Sequence, residues 1–192
     1  MLSMILFQSC RSVSVASPTP DLPGPTQEPP LAQPSPTPAI QPPTETPVVE
    51  PPVGFIEYQD SEVDVSIYIP GSWTVTGVIE GQYAIFSSYP EDKYVGGEGR
   101  ESGDTKCDLN IRPQGESADD LIQQWKSSDM TTIISEQEII LSSGQPGFRF
   151  ELNNMGRANA LITEINGRVV VLTCFGDFSL FDEISVTLKT ID

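Results

Sequence analysis

The sequence predicts an α+β domain, an antiparallel sheet of six or more strands packed with helices, carried behind a long unfolded tail. Three observations predict it. Prolines are segregated: of the 18 in the chain, 14 lie between Pro18 and Pro52, and only Pro70, Pro90, Pro113 and Pro146 lie beyond. After Gly54, apolar and polar residues alternate in short runs bounded by Gly, Pro and Asn, the period of half-buried strands. Two stretches, after Ser117 and after Ser179, carry apolar residues at helical spacing instead. The chain therefore divides into a leader-like segment over 1–10, a tether over 11–53 and one domain over 54–192, long enough for a single core.

Residues 1–10 read Met-Leu-Ser-Met-Ile-Leu-Phe-Gln-Ser-Cys, a short apolar run with a small residue directly before a cysteine. This resembles the end of a bacterial lipoprotein signal peptide, which implies cleavage before Cys10 and a diacylglycerol on its thiol. The basic leader that normally precedes such a run is missing, and a start further upstream would supply it. The alternative is a soluble protein with a frayed apolar end. Neither this run nor any other has the ~20 apolar residues that a spanning helix needs.

From Arg11 to Pro52 the chain is Pro, Ser, Thr, Gln, Ala and acid, and it buries too little apolar surface to offset its ordering entropy. A partly polyproline II tether is expected, with a reach on the order of 100 Å when extended at ~3.1 Å per residue. A docking ligand for an SH3-like module is the weaker reading, because no cation accompanies the Pro-Thr-Pro units.

Within the domain, Val63, Val65, Ile67 and Ile69 alternate with Asp64, Ser66 and Tyr68, a half-buried strand ended by Pro70-Gly71. Ser72 to Val78, with Trp73 and Val75 on one face, and Gln82 to Ser88 read as the next two strands. Cys107 to Arg112 repeats the alternation through Cys107, Leu109 and Ile111. Ser117 then starts a helix as its N-cap, with Asp120 as capping-box partner and acids over the positive end of the dipole. Leu121, Ile122 and Trp125 form one stripe, so this helix lies on the sheet and ends near Ser128.

Thr132 to Leu141 reads as a strand, followed by a Ser143-Gly144 turn. Gly147 to Asn153 is a strand with Phe148, Phe150 and Leu152 inward, and Asn154-Met155-Gly156 reverses the chain into Arg157 to Ile165. Asn166-Gly167 is a type I′ hairpin signal, because both central residues of that turn need positive φ. The strand it feeds, Arg168 to Phe175, is apolar on both faces and so belongs at the centre of the sheet. A closing helix is expected from Ser179 to Lys189, with Leu180, Ile184, Leu188 and Ile191 at helical spacing.

This order of elements, with Tyr-Ile-Pro-Gly-Ser-Trp at 68–73, Gly-Gln-Pro-Gly-Phe at 144–148 and Asn-Gly-Arg-Val-Val-Val-Leu-Thr-Cys at 166–174 before a closing helix, resembles PsbP-like domains. The resemblance spans Gly54 to Asp192 and rests on fold markers. It implies an α/β/α sandwich and a binding or scaffolding role, as in the extrinsic photosystem II subunits that help retain calcium and chloride.

A net charge of −17 opposes approach to phosphate backbones, so nucleic acid is not an expected partner. The chain has no histidine, which removes the commonest general base and neutral metal ligand. No Gly-x-Ser-x-Gly elbow is present, and the carboxylates fall mostly at turns and strand edges. Cys107 and Cys174, both on expected strands, are either a disulfide contributing about 2–4 kcal/mol or two buried thiols packed as small hydrophobes. Between Tyr89 and Thr105, Glu91, Asp92, Glu98, Glu101 and Asp104 sit among glycines. That loop reads first as solvated, and calcium is the ion its oxygens would suit.

The function expected is therefore a membrane-anchored, extracytoplasmic lipoprotein with a non-catalytic binding or scaffolding domain. A histidine-free hydrolase of cell-wall or polysaccharide material and a structural accessory of a membrane complex are the alternatives.

Overall fold

The computed structural model describes residues 51–94, 101–154 and 156–191. Cys10, the tether as far as residue 50 and Glu98 lie outside the described residues. What is described is a sheet-dominated domain: ten strands, two α-helices and one 3-10 turn.

The strands are β1 (Phe55–Asp60), β2 (Val65–Pro70), β3 (Thr74–Ile79), β4 (Tyr83–Ser87), β5 (Thr105–Ile111), β6 (Thr132–Ile140), β7 (Pro146–Asn153), β8 (Arg157–Ile165), β9 (Arg168–Gly176) and β10 (Lys189–Thr190). The helices are α1 (Ala118–Ser127) and α2 (Phe181–Ser185). Seven strands form one sheet in the order β3-β4-β5-β9-β8-β7-β6, and three form a second, β1-β2-β10. Every pairing is antiparallel.

The single sheet expected from the alternation is thus two. Helix is a minor component, ten residues in α1 and five in α2. The layers are α1, the seven-stranded sheet, and then the small sheet with α2. β9 shows why. Val170, Leu172 and Cys174 pack with Val65, Ile67 and Ile69 of β2 and with Phe181, Ile184 and Leu188 around α2, whereas Val169 and Val171 pack with Leu121 and Ile122 of α1. Successive residues of a strand face opposite sides, so one strand seals two cores.

α1 begins where its cap predicts: Asp120 N donates to Ser117 Oγ at 3.1 Å. Trp125 meets Phe150 edge-on, with ring centroids 5.7 Å apart. At Asn166-Gly167 both residues take positive φ, 52° and 71°, which fits the I′ hairpin that sets the β8–β9 register.

The expected closing helix from Ser179 to Lys189 is corrected to the short α2. Thr187 ends it: its hydroxyl donates to Ile184 O at 2.7 Å and accepts from Tyr68 N at 3.0 Å, tying the chain to β2. A hydroxyl that bonds the preceding turn competes with the helix, and Val186-Thr187 is β-branched. Lys189 and Thr190 then pair with Ser66 and Val65 as β10. Ile184 and Leu188 are still buried, so their spacing signalled burial and not helix length.

β1 and β10 had no period-two signal. In β1 only Phe55 and Tyr58 pack against the core, a spacing of three. Asp60 ends β1 and is buried, accepting from Gly81 N at 2.7 Å and Glu62 N at 3.1 Å.

Candidate functional site

Cys107 and Cys174 stand directly opposite each other on β5 and β9, the central pair of the large sheet, with Cα atoms 4.0 Å apart, and are joined by a disulfide. Both are fully buried among Leu109, Leu172 and Phe86. The bridge is therefore a structural staple sealed from solvent.

The acidic loop residues are only partly brought together. Glu91 and Asp92 are exposed on a 3-10 turn, Glu91–Tyr94. Lys93 Nζ, from that turn, lies 2.9 Å from Glu101 Oε2 and 2.7 Å from Asp104 Oδ2. An internal ammonium thus stands where two carboxylates would draw a cation, and hydrogen bonds to Asp104 and then Glu101 hold its pKa well above the usual lysine range. Among the described residues no group of three or more Cys, Asp or Glu gathers as a metal donor set.

A second polar group lies on the large sheet. Register places Tyr83 opposite Asn110, Ile85 opposite Asp108 and Ser87 opposite Lys106. Tyr83 Oη donates to Asp108 Oδ1 at 3.2 Å, and Lys106 Nζ lies 2.8 Å from the same oxygen. Burial, followed by the Asp108 charge and hydrogen bond, pushes the Tyr83 hydroxyl up to about 12. Tyr83, Asn110, Arg112 and Arg168 then line an open cleft of about 580 Å³. Arg112 is already paired with Glu116 at 2.9 Å.

The third feature is the β6 end of the sheet. Among the described residues β6 is an edge strand, paired only with β7. Glu136, Glu138 and Ile140 stand opposite Phe150, Phe148 and Pro146, on the face that carries α1, and Lys126 of α1 reaches Glu136 at 2.7 Å. Ile140 is 68% exposed and Ile134 54%. A cleft of about 350 Å³ opens here between Glu138, Ile140, Pro146 and Phe148.

A neighbouring cleft of about 240 Å³ shares Pro146 and Phe148 as its wall and continues to Ala118, Asp119 and Glu164 at the start of α1. Glu164 Oε1 accepts the Ala118 N–H at 3.0 Å, so it satisfies an amide of the first helical turn. Apolar floor and acidic rim are the shared character of the two clefts.

Sequence alone reads Phe148 as an inward core residue and the acids after Ser117 as dipole partners. It does not bring Pro146, Phe148, Asp119 and Glu164 together as a site, since the clefts are built from the start of α1, the β6–β7 hairpin and the end of β8. One signal was legible: Ser135-Glu136-Gln137-Glu138 inside an isoleucine-rich strand is the charge pattern of a sheet edge. Trp73 and Phe86 pack in or against the core, as core aromatics do.

No family model and no curated protein matches the sequence. Solved structures similar to the chain include cyanobacterial PsbP from Synechocystis sp. PCC 6803, at 15% identity and TM-score 0.47, covering 71% of this chain and 92% of that one. A Bacteroides thetaiotaomicron protein is similar at 14% identity and TM-score 0.39, over 70% of this chain and 47% of that one. A Pseudomonas aeruginosa protein of unknown function is similar at 15% identity and TM-score 0.38, over 67% and 88%.

Proposed function

We propose that the chain is a lipid-anchored extracytoplasmic protein whose PsbP-like body binds or scaffolds a partner at the membrane. The observation that carries this reading is the buried Cys107–Cys174 disulfide. Disulfides persist in exported proteins and are rare in the reducing cytosol. An exported body following a Pro/Thr-rich tether and a lipoprotein-like Cys10 fits attachment at one end and presentation at the other.

The polar groups support binding over catalysis. Asp108 is engaged by Lys106 and Tyr83, Arg112 by Glu116, and Asp104 by Lys93. Groups held this way are braced, whereas a catalytic acid or base needs a proton affinity matched to its task. A Tyr hydroxyl at about 12 is a poor proton donor at neutral pH.

Mass spectrometry of the protein from the membrane fraction tests the reading. Acyl chains on Cys10 and an oxidised Cys107–Cys174 pair are expected, and cross-linking in intact cells should capture a membrane-associated partner. Recovery from the cytosol with an unmodified Cys10 and two free core thiols would falsify it.

A second reading, the histidine-free hydrolase, is favoured by one observation: Asp119 and Glu164 line the same cleft. Both are exposed and Glu164 holds the Ala118 amide, while glycosidic acid catalysis needs one carboxyl kept protonated by its surroundings. Turnover of cell-wall glycan that disappears in Asp119→Asn and Glu164→Gln would establish it.

A further inference from the structure

We infer that the outer edge of β6 is a docking site for an extended, cationic segment of a partner protein, which adds to the large sheet as an eighth strand. The inference rests on the binding reading above and specifies the partner's chemistry. An edge strand presents a row of backbone N–H and C=O groups with no neighbour on that side, a template for another strand. β6 offers nine residues, and its single register break lies between Ile133 and Ser135, leaving Ser135 to Ile140 regular.

The side chains along that regular stretch define the ligand. Glu136, Glu138 and Ile140 share the α1 face, so an incoming antiparallel strand meets Ile140 first, then Glu138, then Glu136. Glu136 is already held at both carboxylate oxygens by Lys126 of α1, so Glu138 is the acid that calls for a cation. Residues directly opposite interact most strongly, which asks for an apolar residue followed by Lys or Arg two positions on. The apolar residue enters the cleft between Ile140, Pro146 and Phe148, and Asp119 beyond Phe148 adds acid to the rim.

A second copy of this chain is disfavoured by the same charges. Antiparallel pairing of β6 with itself, centred on Glu136, Gln137 or Glu138, sets acid against acid on one face, which is destabilising. The opposite edge of the sheet is a poorer template. β3 has six residues, and its register breaks between Thr76 and Ile79, around Gly77.

The test uses the full chain and a labelled synthetic peptide as long as β6, with Phe at one position, Lys two residues on, opposite Glu138, and Thr elsewhere. Three outcomes are expected in fluorescence anisotropy. The peptide binds, binding weakens at about 0.5 M salt, and a Glu-for-Lys version binds at least about tenfold more weakly. Glu138→Lys should reverse that charge preference, and Ile140→Ser should weaken the Phe peptide but not its Phe-to-Ser counterpart. Both positions are exposed, so unchanged thermal melts separate lost binding from lost folding. Amide exchange should slow along β6 when the peptide is added.

Equal binding of the Lys and Glu peptides, no protection of β6, or a dimer in sedimentation that Glu138→Lys alters would each overturn the inference. A photo-crosslinker at Gln137 separates it from the broader reading. Partner capture from other surfaces but never from position 137 would remove the β6 site and leave the binding role standing.

Discussion

β9 and β6 are both nine-residue strands rich in branched aliphatics, yet the sheet treats them oppositely. β9 carries Val169, Val170, Val171 and Leu172, all buried. β6 carries four isoleucines, of which Ile134 and Ile140 are exposed and Ile133 and Ile139 only partly covered. The difference lies in what separates the aliphatics. In β9 they run on unbroken and both faces need cover; in β6 they flank Ser-Glu-Gln-Glu, which cannot enter a core without partners. The β6 bulge adds to this. Ile133 and Ile139 share a parity but face opposite layers, because the register slips by one residue between them.

The largest effect expected from this contrast is at Leu172. Leu172→Ala removes a fully buried side chain and should cost about 2–5 kcal/mol in denaturant unfolding. Ile140→Ala at the edge should cost no more than about 0.5 kcal/mol. Similar losses at the two positions would break the comparison. Next in size is the staple at the centre: joint Cys107→Ser and Cys174→Ser replacement should lower stability by about 2–4 kcal/mol, with reduction of the wild type giving the same loss.

Ser117→Ala should cost about 1 kcal/mol by removing the bond to the Asp120 amide, read as a small fall in melting temperature. The smallest expected effect is at Tyr83. Its folded pKa, about 12, lies above the ordinary value of 10.0, so its contribution is complete below pH 10 and is lost as the pH rises through about 12. Ultraviolet titration should show one late tyrosine, and Asp108→Asn should bring it earlier.

Much of this arrangement was legible in the sequence. The β8–β9 hairpin followed from Asn166-Gly167, the centrality of β9 from its two apolar faces, and the start of α1 from Ser117. Partnership was not legible, because alternation tells which face is buried but not which strand lies beside it. Hence Cys107 and Cys174 could be placed on strands but not paired. β10 is a two-residue strand made only by contact with β2, and the Phe148 clefts join three distant segments. The closing helix misled because Ile184 and Leu188 are buried for different reasons, one in α2 and one in the turn beyond it.

The position of the disulfide also governs how the body would answer a pull. Both ends of the described domain enter through the small sheet, at β1 and β10, while the bridge joins residues separated by 67 positions deep in the large one. Tension applied along the chain ends would travel across the sulfur link and bypass everything between Cys107 and Cys174. At ~3.5 Å per residue, a contour on the order of 200 Å stays out of reach of stretching until the link is reduced. α1, β6 and the Phe148 clefts all belong to that shielded length.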